Sequence, residues 1–306
     1  MRVPFRLADR PYLLLSLTSL FWAGNLVLGR FAAGEIPPLL LGFLRWLGAS
    51  LFILPFVWKD LRKEWPAIRT NLPILALFSA TGIAGYNALA YTALNHTEAL
   101  NSLLIQSTGP LFIAVWCYAL WGDRLTLRQL GGILTSLTGV VVIICRGDLV
   151  HLTNLSLNGG DLLVVLSLLV YGCYAAFLRK RPRMSHLSFL AATILGGAAL
   201  LAPFAAYEFL QGARMHVMPA TLGVVLYVAL LPSLIAYLMF TRGVELIGAN
   251  RASPFFHLMP VFGSVIAILF LGETPQLFHA IGFALVLSGV FVATTAKAPA
   301  PAEPLH

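Results

Sequence analysis

The sequence predicts an all-α polytopic membrane protein with ten transmembrane helices arranged as two inverted five-helix repeats. Three observations support this fold class: the composition, the number of apolar runs and an internal repeat. Of the 306 residues, 59% are hydrophobic and only 10% are charged, whereas soluble domains carry about 25% charged residues. Most of the chain is therefore expected to lie in a lipid bilayer.

Ten apolar runs are long enough to cross the hydrocarbon core, which takes roughly 17 to 25 residues of α-helix. They are 12–29, 37–58, 71–94, 99–121, 129–145, 162–178, 184–207, 220–241, 252–272 and 276–296. The segments between these runs are too short to hold a soluble domain. Almost the whole chain is thus assigned to membrane helices and their connections.

One stretch of the chain, 110–142, recurs at 260–292, shifted by 150 positions without a gap. Ten of its thirty-three residues are identical in the two copies. Each copy begins at a proline and reaches a glycine followed by an acid, Gly122-Asp123 in the first and Gly272-Glu273 in the second. Each then re-enters an apolar run, which is typical of two membrane helices joined by a tight turn.

Further matches at a shift of about 149 extend the duplication to five helices per half. The chain divides into a first repeat, 12–145, and a second repeat, 162–296, with short tails at 1–11 and 297–306. Because five crossings is an odd number, the second repeat must enter the membrane upside down. Inverted repeats place a substrate site near the bilayer midplane, and rocking one half against the other exposes that site to each side in turn.

The basic residues indicate the orientation of the chain. If the helices cross in order, sixteen of the twenty Lys and Arg residues fall on the side that holds both termini, and three fall on the opposite side. Positive charge accumulates on the cytoplasmic side of membrane proteins. We therefore expect a multi-pass protein of a bacterial inner membrane with cytoplasmic termini, whose basic charge faces lipid and cytoplasm and binds no nucleic acid.

Three local patterns carry a family resemblance. They are Phe21-Trp22-x-x-Asn25 leading to Arg30, the run Gly248-Ala249-Asn250-Arg251-Ala252 before the ninth apolar segment, and the proline, glycine and acid signature of both halves. Together with the twice-five layout, they make the sequence similar to EamA-type members of the drug/metabolite transporter superfamily. The resemblance implies a secondary transporter that exports small metabolites such as amino acids, and it leaves open sugars, other organic solutes and drugs.

Polar and aromatic residues at helical spacing mark the faces that turn away from lipid, where unpaired polar groups are costly. We expect such faces to line a common substrate cavity. The candidate residues on these faces are Trp22, Asn25, Asn87, Tyr91, Gln106, Tyr171, Tyr174 and Tyr237. For the amides among them, hydrogen bonding between helices is the alternative.

Arg45 is the most informative single residue, because it is a charged side chain that lies eight residues into the apolar run 37–58. A mid-membrane arginine costs at least about 2.5 kcal/mol, so something must compensate for it. Three explanations are open: the side chain snorkels to the surface, it pairs with helix carbonyls, or it contacts the substrate. His257 is open to two explanations, substrate contact and helix packing.

The predicted spans contain no deep Asp or Glu, which disfavours proton-coupled extrusion of cations. A cavity with Arg45, His257 and aromatic faces better suits a solute with a carboxylate and an apolar or aromatic body. The expected partners are therefore a small-molecule solute and the lipid bilayer.

The sequence offers no sign of catalysis or of a cofactor or metal site. Its acids are scattered, and Cys117, Cys145 and Cys173 lie in apolar runs without metal spacing. A membrane-embedded transferase is the alternative to a transporter, but it would need clustered carboxylates or a nucleophile with a base. The fifth and tenth helices are rich in glycine and suit close packing outside the cavity; we expect a monomer, with a dimer contact through these helices as the alternative.

The charge distribution makes a prediction about topology. Reporter fusions after Lys63 and Arg181 should read as cytoplasmic, and fusions near Asn154 and Arg214 as periplasmic, because of the sixteen-to-three charge asymmetry. Paired alkaline phosphatase and fluorescent-protein fusions at each site would measure this. A fusion after Arg181 that reads as external would overturn the five-plus-five arrangement.

Overall fold

A computed structural model describes residues 8–32, 34–94, 96–97, 99–148, 150, 158–270 and 274–295. Within these residues all regular secondary structure is helical. Most of both predicted tails, the loop 151–157 and the Gly272-Glu273 signature lie outside the described residues.

Among the described residues of the first half, the chain forms eight α-helices. They are α1 (Pro11–Ala32), α2 (Pro38–Lys63), α3 (Trp65–Thr70), α4 (Leu72–Phe78), α5 (Tyr86–Leu94), α6 (Ala99–Gln106), α7 (Gly109–Trp121) and α8 (Leu127–Ile144). Of the described residues in the second half, seven α-helices form: α9 (Gly159–Phe177), α10 (His186–Leu210), α11 (Pro219–Val228), α12 (Ala236–Ile247), α13 (Ala249–Ala252), α14 (Leu258–Phe270) and α15 (Leu277–Thr295). Short 3₁₀ turns lie at Leu178–Lys180 and Ser253–His257.

Eight continuous helices among the described residues are long and apolar enough to cross a membrane. They comprise α2, α4 with α5, α6 with α7, α8, α9, α10, α11 with α12, and α15. The other two predicted crossings fall on α1, which has 22 residues, and on the helical run 249–270. The chain is thus an all-helical, multi-pass membrane protein, and the count of ten crossings stays a prediction.

Helix ends follow local sequence signals. At the start of α8, the hydroxyl of Thr126 accepts the N–H of Gln129 at 3.1 Å, and the Gln129 side chain accepts the N–H of Thr126 at 2.9 Å. Asn158 and Asp161 form the same reciprocal capping box before α9. At its C-terminal end, α7 stops at Gly122. The φ of Gly122 is 70°, in the left-handed region that glycine adopts without a Cβ clash.

Two π-helical segments of seven residues, Ser79–Gly85 and Ala229–Ile235, interrupt the helices 150 residues apart. In the second segment Pro232 has no N–H to donate, and the Val228 carbonyl four residues earlier accepts the hydroxyl of Ser233 instead. The carbonyls of Gly82 and Pro232, at equivalent positions, accept side-chain donors from other helices. Irregular helical turns of this kind often occur at functional sites.

The glycines of α8 and α15 let these two helices pack in close backbone contact. A Cβ on Gly132 would lie 2.5 Å from the Ala293 nitrogen, and a Cβ on Gly139 would lie 2.7 Å from the Gly282 carbonyl oxygen. Residue 132 lies beside residues 289 and 293, and residue 139 lies beside residues 282 and 286, so the helices run antiparallel. The glycines that the sequence offered for a dimer contact therefore lie in a contact between two helices of the same chain.

Contacts between helices are reciprocal between the two halves. α1 packs on α12 and α14, and α9 packs on the corresponding helices of the first half, α5 and α7. α2 packs on α10 and α8 packs on α15, which joins corresponding helices to each other. Both halves therefore contribute equivalent surfaces to one shared interface.

The close packing of α8 on α15 makes a prediction about stability. Gly132→Ala should lower the free energy of unfolding by roughly 1 to 3 kcal/mol, as overpacking does, because its Cβ would meet backbone atoms that cannot move aside. The adjacent Gly131→Ala is the matched control, since no atom lies within 4 Å of its Cβ position. Thermal unfolding of both variants in detergent would measure the difference, and equal midpoints would contradict the packing argument.

Candidate functional site

A cavity of about 80 Å³ lies where helices of the two halves meet. Its lining comes from α1, α2, α5, α6, α7, α9, α12, the 3₁₀ turn Ser253–His257 and α14. The side chains or backbone atoms that line it belong to Trp22, Asn25, Arg45, Tyr86, Asn87, Ala90, Tyr91, Leu103, Gln106, Ser107, Gly109, Ile113, Leu168, Tyr171, Tyr237, Phe256, Met259 and Pro260. None of these residues lies on α8 or α15, the helices expected to pack outside the cavity.

Arg45 is the one charged side chain among these lining residues, and it is only 3% exposed. Its Nη1 donates to the Tyr91 hydroxyl at 2.9 Å and to Asn25 Oδ1 at 3.3 Å. Its Nη2 donates to the Pro232 carbonyl at 3.3 Å, and its Nε donates to the Ser233 hydroxyl. Because the guanidinium is buried among these groups, Arg45 does not snorkel to the membrane surface.

All four acceptors of Arg45 are neutral, so no carboxylate balances its charge within the described residues. A guanidinium has five N–H donors, and the four contacts leave one donor of Nη2 without a partner. Arg45 also lies over the Trp46 ring, with its central carbon 4.9 Å from the ring centroid. Among the described residues, the site thus holds a cation that has polar neighbours but no counter-ion.

Aromatic rings form the apolar side of the cavity. Trp22 stacks on Phe256 with ring centroids 5.2 Å apart and meets Tyr237 edge-on at 5.8 Å. The indole N–H of Trp22 donates to the Pro232 carbonyl at 2.9 Å, so one carbonyl accepts hydrogen bonds from both Trp22 and Arg45. Tyr171 is 4% exposed, and its hydroxyl has no hydrogen-bond partner in the described part of the chain.

The structure brings eight of the ten candidate residues together around this cavity and leaves two outside it. The eight are Trp22, Asn25, Arg45, Asn87, Tyr91, Gln106, Tyr171 and Tyr237. Gln106 donates to the Ser102 hydroxyl at 3.0 Å, and Asn87 donates to the Ile83 carbonyl at 2.7 Å. Both amides therefore combine a helix contact with a place in the lining.

His257 does not line the cavity. The residue is fully buried, its Nε2 donates to the Ser107 carbonyl at 2.7 Å, and its Nδ1 lies in a short hydrogen bond with the Ser136 hydroxyl. Both ring nitrogens are occupied by groups of other helices. Of the two explanations that the sequence left open, the structure agrees with helix packing.

Tyr174 also lies outside the lining. Its ring covers Gly82, where an added Cβ would come within 2.2 Å of the ring, and it meets Phe78 edge-on. Tyr174 shares a polar face with Tyr171 in the sequence pattern, but that face continues from the cavity into the contact with the first π segment. The tyrosine therefore packs between helices.

The sequence pattern did not point to Tyr86, Phe256 and Met259, which also line the cavity. Tyr86 precedes Asn87 directly, and a face defined by Asn87 and Tyr91 alone is too narrow to include it. Phe256 and Met259 carry no polar signal that separates a cavity wall from a lipid-facing surface. Ser233, which holds Arg45 from the second π segment, belongs to a polar face of the eighth span.

The described residues contain no group of three or more His, Cys, Asp or Glu side chains that could hold a metal ion. Cys117, Cys145 and Cys173 are free and buried. The cavity offers hydrogen-bond donors, aromatic faces and one cation, which suits recognition of a small polar solute.

Comparisons with known proteins agree with this arrangement. An "Uncharacterized transporter" of Archaeoglobus fulgidus is 30% identical over 94% of this chain and 98% of its own length. A "Probable terminal-alkyne amino-acid exporter" of Streptantibioticus cattleyicolor is 26% identical over 72% of this chain and 73% of its own length. A solved crystal structure with 20% sequence identity has a TM-score of 0.76, covers 94% of this chain and 96% of that chain, and shares the fold.

A family model described as the EamA-like transporter family matches the chain twice, at 10–145 and at 158–295. The two matches cover both halves of the internal repeat. The names of the relatives are those of transporters and of an exporter. This multi-pass membrane protein therefore belongs to the EamA-like transporter family.

Proposed function

We propose that the protein is a secondary transporter that exports small metabolites carrying a carboxylate, in particular amino acids with an apolar or aromatic side chain. The observation that carries this proposal is the buried Arg45 guanidinium at the cavity wall, whose described partners are all neutral. An unbalanced buried charge is costly. A solute carboxylate would supply the missing counter-ion.

The remaining donor of Arg45 Nη2 is the first contact available to such a carboxylate. A second contact would come from Nη1 if the Tyr91 hydroxyl, which lies 3.4 Å from Asn25 Oδ1, moved onto that amide. Arginine and carboxylate then form the bidentate pair that their planar geometries favour. Tyr91 and Asn25 would exchange partners without leaving a buried polar group unpaired.

Two other parts of the cavity suit the rest of an amino acid. The rings of Trp22, Tyr171 and Phe256 can cover an apolar side chain and can attract an ammonium group through their π faces. The unpaired Tyr171 hydroxyl can bond a polar atom of the solute. The relative named as an amino-acid exporter supports the same solute class.

The size of the cavity supports transport by alternating access. Its volume of about 80 Å³ is well below the roughly 300 to 1,000 Å³ of small-molecule sites. Ion-pair contacts join the first half of the chain to the second on both sides of it: Asp9 and Arg242 at 2.8 Å on one side, and Glu35 and His216 at 2.7 Å on the other. We infer that this conformation is closed and that the halves must move apart to admit solute.

The same proposal includes ten crossings in two inverted repeats with cytoplasmic termini in the inner membrane. Its support is the antiparallel contact of α8 with α15, the reciprocal helix contacts of the two halves and the π segments 150 residues apart. The charge asymmetry supports the orientation. Equivalent halves that face opposite ways can exchange conformations, which opens each side in turn.

Counterflow into proteoliposomes tests the function. Each labelled amino acid would be compared with the amine that lacks its carboxylate, and a sugar series would test the alternative solute class. We expect exchange of amino acids but not of the matched amines. Exchange of amines at the same rate would remove the carboxylate from the proposal, and exchange of sugars alone would replace it.

Arg45 provides the first mutational prediction. Arg45→Lys and Arg45→Ala should both weaken solute binding roughly ten- to hundred-fold, because a lost charge-assisted hydrogen bond costs about 1.5 to 3 kcal/mol and about 1.4 kcal/mol is a factor of ten. Lysine should fail because an ammonium cannot reproduce the planar fork. Equilibrium binding to purified protein would measure the effect.

Two variants control for the structural role of Arg45. Ser233→Ala removes the partner of Arg45 Nε, and His257→Gln disturbs the contact with Ser107 and Ser136. Both should lower the thermal unfolding temperature and leave solute affinity within about threefold, since neither supplies charge to the cavity. If Arg45→Ala lowers stability but binds solute normally, the recognition role is wrong.

Alternating access makes a second prediction. Single cysteines near the two ends of α1 and of α9, in a background without Cys117, Cys145 and Cys173, should change reactivity in opposite senses when substrate is added. The reason is that opening one side of the cavity closes the other. Labelling rates with a membrane-impermeant maleimide would report it, and parallel changes at both ends would indicate a channel.

A further inference from the structure

A second and larger cavity, of about 840 Å³, opens on the outer surface of the helix bundle. This groove runs between α2 on one side and α10 on the other, and α3, α4 and the first π segment close its inner wall. It lies apart from the Arg45 cavity, and the two share no lining residue. Its volume falls in the range of ligand-binding sites, roughly 300 to 1,000 Å³.

Small residues create the groove. A Cβ on Gly196 of α10 would lie 2.4 Å from the Ser79 hydroxyl oxygen, so the two elements meet closely at the floor. Ala76, Ala192 and Ala199 leave room above this contact. The result is a furrow at least eight residues long on α10, which is about 12 Å at 1.5 Å per residue.

The walls of the groove are apolar and exposed. Leu72 is 53% exposed, Leu200 is 43% exposed, and Trp58 and Trp65 are 50% and 55% exposed. In a bilayer such surfaces contact lipid chains, and tryptophan favours the level of the lipid headgroups. The two tryptophans therefore mark the end of the groove that lies at the membrane surface.

That end of the groove is positively charged. Arg62 lines it, with its guanidinium carbon 4.9 Å from the Trp58 ring centroid, and forms no ion pair with any carboxylate in the described segments. Lys59, Lys63 and Arg69 lie nearby in the chain and outnumber the two acids there, Asp60 and Glu64. Glu64 is turned away, since its carboxylate accepts the Ser185 N–H at 3.0 Å.

The second repeat differs from the first at the positions aligned with Trp58 and Arg62. When the matching prolines Pro55 and Pro203 are aligned, Trp58 corresponds to Ala206 and Arg62 to Leu210. The pair of Trp58 and Arg62 is therefore not repeated at the aligned positions of the second half, where Arg214 instead lies over the Phe209 ring at 3.8 Å.

We propose that the groove binds an anionic phospholipid from the adjoining leaflet, with one acyl chain in the furrow and the phosphate hydrogen-bonded to Arg62. Arginine suits phosphate because its planar fork donates two parallel hydrogen bonds, and clustered basic residues attract anionic lipids. Leaving the bulk bilayer gives an acyl chain little hydrophobic gain, since lipid tails are as apolar as the groove. Selectivity must therefore come from the contact between phosphate and Arg62.

Native mass spectrometry of the full-length protein in detergent tests this proposal, with phosphatidylglycerol and phosphatidylcholine of identical chains as probes. We expect tighter binding of phosphatidylglycerol. Arg62→Gln should weaken it roughly tenfold or more, the loss expected for a charge-assisted hydrogen bond, and should abolish the preference. Arg69→Gln, which removes the same charge from the same region outside the groove, should change binding by less than about threefold.

Two further measurements separate the groove from its charged mouth. Ala199→Phe should fill the furrow and weaken both lipids, with thermal unfolding as the check on folding. Soluble glycerol 3-phosphate at equal concentration should not displace the lipid, because it lacks the acyl chain. Equal binding of the two lipids by the unchanged protein, or equal losses in Arg62→Gln and Arg69→Gln, would overturn the proposal.

Discussion

The satisfaction of backbone hydrogen bonds in a medium without water is the constraint on which the rest of this structure depends. Helices meet it within themselves, but the two π segments interrupt that pattern at equivalent positions of the two halves. In each segment one carbonyl accepts a side chain from another helix: Tyr237 donates to Gly82, and Trp22 and Arg45 donate to Pro232. The interruptions in the helices thus become the contacts that join the halves around the cavity.

The position of Arg45 follows from this arrangement. A guanidinium inside a membrane protein requires acceptors, and the second π segment supplies a carbonyl together with the Ser233 hydroxyl. Asn25 and Tyr91 complete the shell from α1 and α5. These neutral groups accept hydrogen bonds from most of the Arg45 donors but do not balance its positive charge. An anionic solute would supply the missing negative charge.

The helices around the cavity need a support that does not itself enclose solute, and α8 with α15 provides one. Their glycines let the two backbones approach so closely that the Cβ atom of any other residue would clash. His257 ties this pair to the lining helices, since it joins Ser136 of α8 to the carbonyl of Ser107 at the cavity wall. A displacement of α8 against the lining helices would break a buried hydrogen bond, so this side of the cavity resists independent motion.

Composition and apolar run length were enough to assign the membrane class, because the bilayer imposes its own length and polarity on every crossing. The 150-residue shift was enough to identify the duplication, and the period of 3.6 residues was enough to identify most of the polar faces. A polar face, however, can line a cavity or pack against another helix. Both kinds of face have the same sequence periodicity, so the sequence does not distinguish them. Tyr171 and Tyr174 share such a face on α9, and only the path of the first π segment decided which one reaches the cavity.

His257 shows the second limit of the sequence. A substrate contact by His257 would place it on the polar face of an α-helix, but the five residues Ser253–His257 form a 3₁₀ turn. With 3.0 in place of 3.6 residues per turn, the direction of a side chain drifts by roughly 20° per residue. The sequence by itself therefore determined which residues avoid lipid, and the tertiary structure decided which of them meet one another, because departures from regular helical winding depend on the packing of distant segments.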